Sequence, residues 1–340
     1  MWLPSTQATS SGVTSATIRP PPSPPCTITA SAPQEADDKE LYKSSALSDV
    51  YEPGSVQKVL TMAGLLDAGL VTPRTPLRVP GQLNRQDRPI GDYWEHDTLR
   101  LTLAGVLAKS SNVGTVLASD RFSRGQLRRY LSAFGLGRRT GVGVGGETRG
   151  LLPRVAETTS QEEDRMSFGQ SLSVNALQMA AAVNTIANGG VRIDPSLVRG
   201  SARLDNGTEV GTDDAEETRV VSEKAAEQTM LMMERVLDPE DGVAPGAAVP
   251  GYRVAGKTGT AQRVGEECAC YDGSTTVSFA GFAPADDPRF TVYVLVHAPS
   301  NGGGGGQVAG PAFAKLMGYA LRRYGVAPTD TRPSRLPVEW

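Results

Sequence analysis

Apolar residues at Val59, Leu60, Met62, Ala63, Leu65 and Leu66 recur at helical spacing and give way to Gly69, so the pattern predicts a buried helix over 55–70 with a glycine stop. The same period predicts helices over 101–108, 112–119, 123–134, 174–188 and 223–236, and a last one over 311–324. The 174–188 pattern runs into Asn188-Gly189-Gly190, a strong C-terminal stop. Strand patterns concentrate near the C-terminal end, at 252–258, 275–282 and 290–297, where β-branched and aromatic residues lie between turn residues. Three such runs in succession predict an antiparallel meander. Helices first and strands late point to an α+β domain rather than a doubly wound one.

Composition divides the chain into unequal parts. Residues 1–40 are rich in Ser, Thr and Pro, include the run Arg19-Pro20-Pro21-Pro22-Ser23-Pro24-Pro25, and read as disordered or weakly ordered. Within them, 11–18 and 27–32 are the only stretches with strand character. An ordinary globular mixture occupies 41–326, and 327–340 reads as a C-terminal tail. The glycines at 302–306 read as a flexible loop.

The formal net charge of -3, spread along 340 residues, gives no basic footprint for nucleic acid. The cysteines Cys26, Cys268 and Cys270 offer neither a disulfide framework nor a zinc pattern, so no metal and no cofactor is expected. Cys268 and Cys270 read either as a tight disulfide or as two unpaired loop thiols. No run of apolar residues is long enough to span a membrane, and the N-terminus lacks the features of a signal peptide.

Chemistry enters with Ser55-Val56-Gln57-Lys58, which places a hydroxyl and an amine three residues apart on one helix face. A serine hydroxyl needs a base to take its proton. The chain holds only two histidines, so a lysine with a lowered pKa is the economical alternative. Lys109-Ser110-Ser111-Asn112 interrupts an apolar pattern where one helix gives way to another, and alone reads as a helix cap. Lys257-Thr258-Gly259-Thr260 ends a strand pattern, with a glycine that permits close backbone approach. Each has an ordinary structural explanation. Together and in this order they form the set found in penicillin-binding proteins and class A β-lactamases.

With these motifs the chain resembles the class B penicillin-binding transpeptidases, especially the division-type enzymes of high-GC Gram-positive bacteria. The resemblance covers about 41 to the C-terminus. It rests also on Tyr51-Glu52-Pro53-Gly54, Leu107-Ala108 with Val113-Gly114, Ser167-Phe168-Gly169-Gln170, Leu177-Gln178, Val254-Ala255-Gly256, Ala261-Gln262 and Phe279-Ala280-Gly281-Phe282-Ala283-Pro284. Ser111 stands where the lactamase form has aspartate.

The resemblance implies a central antiparallel sheet flanked by helices, with an all-α portion. It implies that Ser55 attacks a stem peptide ending in D-Ala-D-Ala while Lys58 takes its proton, and that a neighbouring stem-peptide amine then captures the acyl group. Ser110, Asn112 and Lys257 belong to the catalytic set. Ser111, Thr258, Gly259 and Thr260 belong to the substrate-binding wall, and the N–H groups of Ser55 and Thr260 form the oxyanion hole. His96, Glu52 and Gln170 read as packing and hydrogen-bonded support.

Implied partners are peptidoglycan stem peptides or a lipid-linked precursor, β-lactams that acylate Ser55, and glycan-polymerising and divisome membrane proteins. The implied place of work is the extracytoplasmic face of the membrane. Members of this family carry a membrane helix and a pedestal domain ahead of the catalytic part, and neither is found before Leu41, so the chain reads as N-terminally truncated. Competing readings are a D-alanyl-D-alanine carboxypeptidase or β-lactamase-like hydrolase on the same residues, and a non-catalytic penicillin-binding sensor or relic.

Overall fold

In a computed structural model of the chain, residues 44–340 are described, apart from 86–87, 204–206, 208, 214, 265–269 and 301. The expected disorder of 1–40, the strand candidates within it and Cys268 lie outside the described residues. A short helix α1 (Ser45–Ser48) leads to a 3-10 turn, Gly54–Val56, that runs straight into α2 (Gln57–Asp67). Every residue of α2 from Gln57 to Leu66 is buried. A helix with no solvent face belongs at the centre of a domain, and α2 packs against helices on several sides.

Short strands β1 (Pro76–Val79), β2 (Gln82–Leu83), β3 (Ile90–Gly91) and β4 (Leu99–Thr102) follow. They pair antiparallel, β1 with β4 and β2 with β3. The helix expected to begin at Leu101 therefore begins two residues later, as α3 (Leu103–Ala108). The reason is Thr102, which ends β4 and caps α3 by accepting the Gly105 N–H at 3.0 Å. Then come α4 (Asn112–Ser119), α5 (Gln126–Ala133), α6 (Ser160–Ser167) and α7 (Ala176–Ala187). A reciprocal Asn175/Gln178 capping box starts α7. Gly189 and Gly190, both at positive φ, follow its end.

Small strands β5 (Val191–Ile193), β6 (Ser201–Arg203), β7 (Glu209–Gly211) and β8 (Glu217–Arg219) make two short ribbons before α8 (Glu223–Glu234). The expected meander is β9 (Ala255–Val264), β10 (Tyr271–Ala283) and β11 (Phe290–His297), antiparallel with β10 in the middle.

Register and pleat assign the faces of this sheet. Phe279 and Gly281 lie two residues apart on one face, where Phe279 meets Phe313 of α9 (Gly305–Arg323) with ring centroids 4.6 Å apart. On the opposite face, Phe282 pairs with Thr291, whose hydroxyl donates to Asn184 of α7 at 2.8 Å. The sheet is thus covered by α9 on one side and by the helical portion on the other, an α+β arrangement.

The expectation for the glycine tract also changes. The tract 302–306 is not a loop throughout, because Gly305 and Gly306 form the first turn of α9. A Cβ on Gly305 would collide with backbone oxygens of Ser278 and Gly259, so closeness to the sheet requires glycine there. Cys270 is disulfide-bonded, in keeping with the disulfide reading of the two left open for it. The segment 327–340 packs back on the domain, with Thr102 N–H donating to Val338 O at 2.9 Å, Ser334 N–H to Glu234 Oε2 at 2.7 Å and Trp340 Nε1 to Leu77 O at 3.3 Å.

Candidate active site

Three pieces of chain converge on one point: the turn before α2, the turn between α3 and α4, and strand β9. Ser55 is half-buried at the head of α2, on the tight turn that Gly54 makes at φ 54°. Gly54 donates its N–H to Gly169 O at 3.0 Å, and a Cβ there would press on Thr260 O at 2.9 Å. The Ser167-Phe168-Gly169-Gln170 segment therefore backs the Ser55 turn, and Thr61 of α2 ties to it through a 2.7 Å bond to Ser167 O.

Lys58 lies one helical turn along α2 and is completely buried. Its Nζ donates to Ser110 O at 2.6 Å and to Asn112 Oδ1 at 2.7 Å, with Ser110 Oγ at 3.4 Å. A neutral amine has two N–H donors and one lone pair. The two short bonds, both to acceptor oxygens, use both donors and leave the lone pair for a hydroxyl proton. Burial pushes the Lys58 pKa down from 10.5 to about 7, opposed by the charge of Asp92.

Ser110 adopts φ 58°, a left-handed conformation that is uncommon outside glycine. That turn brings both its carbonyl and its hydroxyl onto the lysines. Lys257, also completely buried, donates to Ser110 Oγ at 2.7 Å and lies 3.1 Å from Thr258 Oγ1. Its pKa is held well below the ordinary lysine value, first by burial and then by the nearby Lys58. Ser110 Oγ thus bridges two amines that cannot both hold a charge cheaply.

The third motif lies along β9. Gly259 has no side chain where one would strike Ser278 Oγ and crowd Pro53 O and Val56. Thr258 is buried, with its hydroxyl engaged by Lys257, whereas Thr260 is exposed and its Oγ1 accepts the Gly305 N–H at 3.3 Å. Thr260 O lies toward Gly54, off the free edge of β9. In a strand a residue's N–H and C=O leave on the same side, so the Thr260 N–H is also directed to that edge.

Ser111, expected on the substrate wall, is fully buried. Its Oγ accepts the Gly114 N–H at 2.8 Å and donates to Asp92 Oδ2 at 2.7 Å, which makes it the N-cap of α4. Of the supporting residues, Glu52 accepts from Ser171 N–H at 3.0 Å and from Tyr271 O–H at 3.2 Å. Burial raises the pKa of its carboxyl. Gln170 accepts weakly from Arg165 at 3.4 Å. His96 bonds to Asp92, a residue that the sequence reading did not single out.

Fold and site together define a protein of one class: residues 26–318 match the penicillin binding protein transpeptidase domain, and the chain belongs to that family. It is similar to the penicillin-binding protein PbpB of Mycolicibacterium smegmatis, at 39% identity over 297 residues that cover 85% of this chain and 46% of that protein. It is also similar to the peptidoglycan D,D-transpeptidase FtsI of Escherichia coli K12, at 35% identity over 293 residues, covering 85% of this chain and 47% of that protein. A crystal structure of penicillin binding protein 3 from Mycobacterium tuberculosis, complexed with aztreonam, superposes with a TM-score of 0.79 at 35% identity. That match covers 87% of this chain and 67% of the other. The chain spans less than half the length of these two curated relatives. Among the described residues no helix is long and apolar enough to cross a membrane.

Proposed function

We propose that the chain is a peptidoglycan D,D-transpeptidase with Ser55 as nucleophile. The observation that carries this reading is the Lys58 amine, buried one turn from Ser55 with both donors committed and its pKa near 7. Ser55 Oγ attacks the carbonyl of the penultimate D-Ala, and its proton passes to Lys58 Nζ. The tetrahedral oxyanion accepts from the N–H groups of Ser55 and Thr260. Collapse breaks the D-Ala-D-Ala peptide bond, and the leaving amine takes a proton through Ser110. A stem-peptide amine then attacks the acyl carbonyl, gives up a proton along the same route and frees Ser55.

Lys257, Thr258 and Thr260 form the wall for the substrate's terminal carboxylate. An arriving anion restores the charge on Lys257 that burial suppresses. β-Lactams, which carry a carboxylate beside a strained amide, acylate Ser55 by the same first step. Work on the outer face of the membrane, on stem peptides of wall precursors and beside glycan-polymerising division proteins, completes the proposal.

The test is labelling of the purified chain with a fluorescent penicillin, with intact mass before and after, alongside Ser55→Ala. An adduct of the expected mass in the parent and none in the variant supports the reading. Turnover of a D-Ala-D-Ala peptide with transfer to an added amine separates transpeptidase from hydrolase. A folded parent that takes no label refutes an active acyl-enzyme.

A further inference from the structure

Asp92 follows β3 directly, and its side chain is completely shielded from solvent. Three donors and a histidine ring nitrogen converge on its carboxylate. Oδ1 accepts the backbone N–H groups of Asn112 at 2.5 Å and Val113 at 3.1 Å. Oδ2 accepts from Ser111 Oγ at 2.7 Å and faces His96 Nε2 at 3.0 Å. The preceding residue completes the clamp, since Gly91 O accepts Asn112 Nδ2 at 3.0 Å. That bond decides which way the Asn112 amide points, and so turns Oδ1 onto Lys58.

His96 closes the arrangement from behind. Its Nδ1 lies 2.5 Å from Asp97 O, and its Nε2 meets the Asp92 carboxylate. The contact is shielded from solvent, with the His96 side chain 6% and the Asp92 side chain 0% exposed. Here it anchors the one turn that holds Lys58.

We propose that Asp92, backed by His96, is a positioning residue that fixes the Ser110-Ser111-Asn112 turn against Lys58. This role rests on the acyl-transferase reading above. Asp92 touches neither Ser55 nor substrate and acts through Asn112 and the Ser110 turn. The charged or titratable groups facing the Lys58 amine are Lys257 from β9 and Asp92 from the β3 loop. Removing the Asp92 charge disfavours the ammonium form of Lys58, so the base titrates at lower pH.

The experiment compares parent, Asp92→Asn and His96→Gln by the second-order rate of acylation with a fluorescent penicillin between pH 5.5 and 9, together with thermal melting of each. For Asp92→Asn the plateau rate is expected to fall on the order of 10²-fold, the effect of a small misplacement of a catalytic group, and the rising limb to move to lower pH. For His96→Gln, which keeps a polar group toward Asp92 but not the ring, a loss of about tenfold is expected, smaller than that of Asp92→Asn. Variants that melt cooperatively, acylate at the parental plateau and keep the parental limb overturn the positioning role alone. A loss matching only the fraction unfolded overturns it too, and His96→Gln supplies that comparison if Asp92→Asn does not fold. A parent that takes no label overturns the acyl-transferase reading itself.

Discussion

In the proposed mechanism, the pH at which Ser55 becomes reactive is set by Lys58. Burial lowers the pKa of this lysine from 10.5 to about 7, a change worth roughly 5 kcal/mol against the charged form at about 1.4 kcal/mol per pKa unit. Only the free amine can accept the Ser55 proton. At pH 8 about nine-tenths of Lys58 is free base, whereas an ordinary lysine would be so in about 0.3% of molecules, a gain of about 300-fold in active base. At pH 6 the free-base fraction falls to about one-tenth. The expected profile of the acylation rate is therefore a rise through pH 7 and a plateau above pH 8. Stopped reactions with a fluorescent penicillin across pH 5.5 to 10 measure it, with Ser55→Ala as the blank. A rate that keeps climbing tenfold per pH unit past pH 9 would mean that Lys58 is not desolvated in solution, and the reasoning from burial would fail. A rate flat from pH 6 to 8 would mean that another group takes the proton.

The same titration predicts a stability effect with a definite sign. Between pH 7 and 10 the unfolded chain holds the Lys58 proton and the folded chain does not, so this group makes stability rise with pH by up to about 1.4 kcal/mol per unit. Lys58→Met should abolish acylation, flatten that slope in urea titrations at pH 7 and 9, and leave a folded domain, since a side chain of similar volume replaces a buried amine. Gly54→Ala places a Cβ at φ 54° against Thr260 O. It should cost about 1–3 kcal/mol in chemical denaturation and slow acylation as well; a variant of parental stability and rate would show that the turn tolerates a side chain. Ser111→Ala removes the cap on Gly114 N–H and one donor to Asp92, a loss of about 1–2 kcal/mol that thermal melting resolves.

How far these features could be read beforehand depended on whether their cause was local. The period of α4 and the run of β11 follow from patterning within each segment, and their observed limits, Asn112–Ser119 and Phe290–His297, are those expected. The start of α9 could not be read this way. A glycine tract has poor helix propensity, and what orders Gly305 and Gly306 is the sheet they lie against, a contact invisible to any window of sequence. Leu101 and Thr102 carry helical spacing yet join β4, because β1 lies alongside to pair with them. Asp92 escaped notice because it sits in a polar turn among many carboxylates, and its importance comes from α4 arriving above it. One signal was available: Asp92 and His96 stand four residues apart just ahead of the motif they brace.

Costly features gather where the three motifs meet. The two completely buried lysines among the described residues, Lys58 and Lys257, lie within reach of one hydroxyl. Three non-glycine residues among those described have positive φ: Ser110 forms the turn between the lysines, Ser171 binds Glu52 three residues before Ser55, and Ala298 follows the end of β11. Such features persist only where surrounding structure holds them in place. Here the holding structure can be named: α2 buried on every side, the Asp92 clamp under α4, and Gly259 flush against the turn that carries Ser55. Packing alone would favour methionine over lysine at position 58 and a relaxed turn at 110. That the chain keeps amine, strain and clamp together supports the proposed task, delivery of a free amine to Ser55 near neutral pH.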